Sequence, residues 1–226
     1  MDALFLKFDT DKSSKHHNYA RQYENLFRDF KDKKGIRMLE IGVFKGQSLK
    51  AWRSFFTCPD ALIVGADIDT DCEQYDDEQN GIRVVIGNAT EPDCIESIHE
   101  KYGPFDIILD DGSHKNTDVI KSFEFMFPML KNNGLYIVED TICFKDTGFF
   151  VPTSPDHLNY FAQFIPYLNQ CRYDSTEPDS IKDYCVDPFK IMKKTKNVLE
   201  YSIDKIEFGC SYIAITKVVR EHWIPS

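Results

Sequence analysis

Four apolar runs recur along the chain at the spacing of alternating strands and helices. They are "IRMLEIG" (36–42), "ALIVGADI" (61–68), "FDIILD" (105–110) and "GLYIVE" (134–139). A weaker fifth, "IRVVIGN" (82–88), lies between the second and the third. Each is continuous rather than alternating, as in strands buried on both faces of a parallel sheet. The segments between them, "GQSLKAWRSFF", "CIESIHEKY" and "VIKSFEFMFPML", read as helices. Such alternation predicts an α/β fold, a Rossmann-like and mostly parallel sheet with helices on both faces. Near the C-terminus the alternation stops. "VLEYSIDKIEFG" and "CSYIAITKVV" meet at Gly209–Cys210 as an antiparallel hairpin, which brings the expected sheet to seven strands.

The 226 residues are expected to form one domain. Residues 1–34 form an N-terminal helical region, in which "SSKHHNYARQYENLFRDFKDK" reads as an amphipathic helix capped by serine. Residues 144–196 have neither period and are rich in Pro, Tyr, Phe and Asp. They read either as an insertion that shapes a substrate pocket or as a helical connector. The formal charge of −10 argues against a nucleic-acid partner, which calls for a basic face. No apolar run approaches the ~18 residues of a membrane span, and the N-terminus does not read as a signal peptide. Seven scattered cysteines without a CxxC pair argue for free thiols, against zinc, and for a cytoplasmic location.

The first strand runs into "LEIGVFKGQSLKAW". Gly42 and Gly46 lie in the turn before the next helix, where glycine lets a ligand approach the backbone, and Ser48 follows in that helix. The G-x-x-x-G spacing fits a dinucleotide pyrophosphate poorly. Glu40, just before the turn, would repel phosphate and attract an ammonium such as that of a methionine moiety. Asp67 ends the second strand, about twenty residues on, where an acid commonly meets a ribose diol. Asn88, closing the third, could face an adenine. Taken in order along one sheet edge, these residues favour S-adenosylmethionine. The strand plan with its terminal hairpin resembles the class I methyltransferases over about residues 36–220.

Two strands end in paired acids, Asp110–Asp111 in "LDDGSH" and Glu139–Asp140 in "YIVED". Neighbours in a βαβ unit lie about 4.8 Å apart, so Asp111, Glu139 and Asp140 would share one small volume. A hard divalent cation relieves their repulsion: Mg²⁺, with Mn²⁺ or Ca²⁺ as alternatives. His114, beside that cluster, suits a general base. Asp110 could hold His114 or the amino group of the cofactor.

"TDKSSKHHNY" (10–19), "YE" (23–24), "LEIGVFKGQSLKAW", "VGADID", "LDDGSH" and "YIVED" together resemble the metal-dependent sugar O-methyltransferases of macrolide tailoring, the mycinamicin and macrocin type. The resemblance implies Asp111, Glu139 and Asp140 as metal ligands, His114 as the base, a sugar hydroxyl as acceptor and a homo-oligomer. The segment after "YIVEDT" departs from the sugar-pocket sequences of that family. A catechol-type O-methyltransferase and a non-catalytic nucleoside-binding domain are the alternatives. An iron oxygenase lacks an evident two-histidine triad.

Overall fold

The structure is a computed structural model that describes residues 1–145, 156–168 and 202–218. Its seven strands lie in the order β3-β2-β1-β4-β5-β7-β6. They are β1 (Arg37–Ile41), β2 (Leu62–Asp67), β3 (Ile82–Ile86), β4 (Phe105–Asp110), β5 (Leu130–Glu139), β6 (Ile203–Gly209) and β7 (Tyr212–Lys217). The first five are mutually parallel, and β7 runs antiparallel to both β5 and β6. The expected sheet, helices on both faces and C-terminal hairpin are all present.

The continuous apolar runs feed two cores at once. Along β5, Leu135 and Ile137 enter one core, while Tyr136 and Val138 enter the other. The first core takes α1 (Asp2–Phe8), α2 (Ala20–Leu26) and α3 (Gln47–Phe55). There Phe5, Tyr23, Phe27 and Trp52 pack largely edge to face, with Phe5 and Trp52 centroids 5.2 Å apart. Such aromatic pairs contribute about 0.5–1.5 kcal/mol each beyond simple burial. The second core takes α4 (Pro92–Tyr102) and α5 (Asn116–Met126). Of the 144–196 segment the structure describes residues 144–145 and 156–168, the latter holding two short helices, α6 (His157–Ala162) and α7 (Ile165–Leu168). Phe161 of α6 stacks edge-on against Phe123 of α5 at 4.9 Å, so this part covers a helix. The remainder of that segment lies outside the described residues. Among the described residues no helix is long and apolar enough to cross a membrane.

The N-terminal region differs from the single capped helix that its periodicity predicts. Asn18 adopts a left-handed φ of +57°, and α2 begins only at Ala20, with no side-chain cap. Backbone bonds from His17 to Asp11 and from Tyr19 to Lys12 close residues 11–19 into a compact loop. Ser14, a candidate cap, instead donates from its hydroxyl and its N–H to Asp2 at 2.8 Å each. The loop presents Lys12 and Tyr19 to the sheet, and those tertiary contacts outweigh local helix propensity.

Strand order reverses at β1, whose neighbours β2 and β4 lead to opposite halves of the sheet. Open α/β sheets bind ligands outside the C-terminal strand ends at such a point. In the β4–β5 pairing Asp110 stands opposite Val138, so the next residues along, Asp111 and Glu139, leave the sheet side by side.

Candidate functional site

A cleft of about 740 Å³ opens over these strand ends. Its wall includes Gly42, Ser48, Asp67, Asn88, Asp110 and Asp111. The wall is tightly braced. Gly42 has φ +92°, and a Cβ there would stand 2.2 Å from the carbonyl oxygen of Asp111. Asp67 accepts from the N–H groups of Val43 (2.7 Å), Phe44 (3.1 Å) and Asp69 (3.0 Å). Burial pushes its carboxyl up, but those N–H groups win and hold it below the usual aspartate value. Asn88 bends its own loop, its Oδ1 accepting from the Thr90 N–H and hydroxyl at 3.0 and 2.9 Å.

Two of the predicted cofactor residues are used behind the wall. Gly46 also has a left-handed φ, +66°, and its Cα side lies against the ring of Tyr75, where a Cβ would meet carbon at 2.7 Å. Glu40 is fully buried and accepts from Ser48 Oγ (2.8 Å) and Trp52 Nε1 (3.1 Å). An ammonium of the chain itself also stands near Glu40, with Lys12 Nζ 3.7 Å from its Oε1. Burial raises the Glu40 carboxyl to about 7 in spite of that neighbour.

Lys12 is the centre of the acidic edge. Only 1% exposed, its ammonium donates to Asp111 Oδ2 at 2.6 Å and to Glu139 Oε2 at 2.8 Å. Burial alone would push this lysine down; the carboxylates of Asp111, Glu139 and Glu40 hold it well above its ordinary value. The other oxygen of Glu139 accepts from the Tyr23 hydroxyl. Asp140 accepts from the Tyr19 hydroxyl at 2.7 Å, with His17 Nδ1 at 3.4 Å and His114 Nε2 at 3.9 Å. Asp110 sits under this layer and accepts from Tyr136 Oη (3.2 Å) and the Gly112 N–H (3.3 Å). Its burial raises it to about 7.

Among the described residues, Asp111, His114 and Asp140 each offer a ligand atom within 4.8 Å of the others. Both His114 (φ +56°) and Asp140 (φ +51°) hold the left-handed backbone conformation, a strain of order 1–3 kcal/mol per residue. The strain turns the two side chains toward one point. Glu139, expected in the same trio, instead points at Lys12 and Tyr23. Among the described residues a single ammonium faces three acids, Glu40 and Glu139 fully buried and Asp111 partly so, and Glu40 Oε1 has no hydrogen-bond donor. Burial raises Asp111 and Glu139 as well, Lys12 only partly opposing it. The cluster is short of positive charge, and its donors suit a divalent cation.

Sequence reasoning gave no role to Lys12, His17, Tyr19 or Tyr23. All stand within "TDKSSKHHNY" and "YE", and the density of Lys, His and Tyr in so short a stretch was the signal available.

No family model matches the sequence. Among curated proteins, demethylmacrocin O-methyltransferase of Streptomyces fradiae is 35% identical over 147 residues, 62% of this chain and 36% of that protein. L-olivosyl-oleandolide 3-O-methyltransferase of Streptomyces antibioticus is 34% identical over 163 residues, 68% of this chain and 40% of its own. Mycinamicin VI 2''-O-methyltransferase of Micromonospora griseorubida is 37% identical over 147 residues, covering 62% and 35%. The chain thus spans 35–40% of the length of these relatives. Among solved structures, the MycE methyltransferase in complex with Mg, SAH and mycinamycin VI superposes with a TM-score of 0.77 at 27% identity. That match covers 100% of this chain and 56% of that one. The O-methyltransferase TomG of Streptomyces achromogenes shares the fold alone, with a TM-score of 0.53 and 14% identity over 97% of this chain and 87% of that one.

Proposed function

This chain is related to the class I S-adenosylmethionine-dependent O-methyltransferases of the macrolide and sugar type, and on that premise we propose that it methylates a hydroxyl of a sugar or glycoside. S-adenosylmethionine is the donor and a divalent ion, Mg²⁺ before Mn²⁺ or Ca²⁺, is the second cofactor. The observation that carries the reading is that one cleft joins the braced turn at Gly42 and Asp67 to the acidic edge at Asp111. The Mg and SAH bound by MycE support the same pair of cofactors.

In this reading Gly42, Ser48, Asp67 and Asn88 line the nucleoside and methionine wall, with Gly46 and Glu40 supporting it from behind. Asp110, held by Tyr136 and Gly112, is a further wall carboxyl that would face the cofactor. Asp111, Glu139 and Asp140 would hold the ion, Glu139 exchanging its bond with Lys12 to do so. When bound, the ion lowers the pKa of an alcohol that is a poor nucleophile near pH 7. Its preference for carboxylate oxygen leaves the imidazole of His114 to take the hydroxyl proton. The resulting imidazolium is stabilised by Asp140, 3.9 Å away. S-adenosylmethionine held along the Gly42–Asp67 wall would supply the methyl group from its sulfonium, a leaving group that departs as a neutral thioether. Homo-oligomeric assembly and a cytoplasmic location belong to the same proposal.

Calorimetry with S-adenosylmethionine, with and without Mg²⁺, followed by turnover on a panel of nucleotide sugars and glycosides, tests this function. Cofactor binding and Mg²⁺-dependent turnover on a glycoside are expected. Lack of S-adenosylmethionine binding would sink it, and a His114→Ala variant with near-normal turnover would remove the base.

A further inference from the structure

We infer that Lys12 is a resident counter-cation of the acidic edge, competing with the divalent ion for Asp111 and Glu139 and thereby setting how tightly the ion is held. The inference rests on the metal site proposed above. Its basis is the placement of a full positive charge where a ligand set ought to be open. Lys12 Nζ lies 2.6 Å from Asp111 and 2.8 Å from Glu139, at 1% exposure. The placement is built in by the backbone. The Lys12 N–H donates to Thr10 Oγ1 at 3.2 Å, and its carbonyl accepts from the Tyr19 N–H at 3.0 Å.

The surrounding bonds divide the acids between the two cations. Glu139 is drawn to Lys12 and Tyr23, Asp140 to Tyr19 and the histidines, and Asp111 belongs to both groups. An ion on Asp111 therefore stands close to a like charge, and the repulsion scales with its double charge. Lys12 offsets the mutual repulsion of Glu40, Asp111 and Glu139 before any ion arrives. The same charge weakens the ion's hold and keeps it exchangeable. Because Lys12 lies in the loop at residues 11–19, arrival of the ion also pulls on the segment that carries His17 and Tyr19.

The test uses Mn²⁺ alone, titrated into the full chain and followed by the paramagnetic resonance of the free ion, without methyl donor or acceptor. Lys12→Met should bind Mn²⁺ at least about tenfold more tightly than wild type, while Lys12→Arg, which keeps the charge, should stay within about threefold. A merely structural lysine would instead give weaker binding in both variants. A second readout needs no variant. Saturating Mg²⁺ should increase modification of Lys12 by a small amine reagent, mapped by mass spectrometry. Unchanged or weaker Mn²⁺ binding in folded Lys12→Met, Lys12 labelling indifferent to Mg²⁺, or no Mn²⁺ binding by any of the proteins overturns the inference. None of these readouts involves S-adenosylmethionine, so the methyl-transfer reading stands or falls separately.

Discussion

At Gly42 the nearest obstacle to a side chain is the Asp111 carbonyl oxygen, 2.2 Å from where a Cβ would lie. The need for glycine after the first strand was legible in the sequence as a place for a ligand to approach the backbone. The crowding comes from the end of β4, a neighbour that linear order does not reveal. Asp67 carries a similar lesson. An acid at the end of β2 was legible as a ribose partner, whereas three N–H groups of its own loops already bind it. They hold its pKa below the ordinary 3.8 against the upward push of burial. A depressed carboxyl contributes stability that is fully present above its unfolded pKa and lost as pH falls through the folded one. The wild type should therefore be more stable than Asp67→Asn near neutral pH, and the gap should shrink below about pH 4. Urea unfolding of both proteins from pH 7 to pH 3 measures it, and a gap independent of pH would contradict the assignment.

The N-terminal element was the least legible. Its aromatics recur at helical spacing, so residues 13–33 read as one helix, yet only Ala20–Leu26 forms one. The competing demand is tertiary: Lys12, His17, Tyr19 and Tyr23 each reach an acid at the end of β4 or β5. A helix from residue 13 would break the loop bonds that aim Lys12 and Tyr19. Because β5 is distant in sequence, local pattern carries no trace of that demand. Tyr23 joins the element to the edge, with its ring among Phe5, Phe27 and Trp52 and its hydroxyl on buried Glu139. Tyr23→Phe keeps the ring packing and removes one donor from a buried carboxylate. A loss of about 1–3 kcal/mol in unfolding free energy is expected. A change within ~0.3 kcal/mol would mean that water or another donor replaces the hydroxyl.

At the scale of the whole molecule, the parallel sheet and its hairpin were legible because continuous apolar runs require burial on both faces. The division of labour across the sheet follows from strand order. Gly42, Asp67 and Asn88 lie at or just past the ends of β1, β2 and β3, while Asp111 and Asp140 directly follow β4 and β5, with the reversal between β1 and β4. Gly42 touches the backbone of Asp111, so replacing the Asp111 side chain leaves that junction in place. The two halves should therefore be separable. A ligand that binds only the folded state stabilises it by about 2.7 kcal/mol at a hundred times its Kd. Wild type should show upward thermal shifts with S-adenosylmethionine and with Mg²⁺ separately. Asp111→Ala should lose the Mg²⁺ shift and keep most of the S-adenosylmethionine shift. If both shifts disappear together in a variant that is still folded, the cleft works as one unit, and the cofactor wall depends on the acidic edge for more than its backbone.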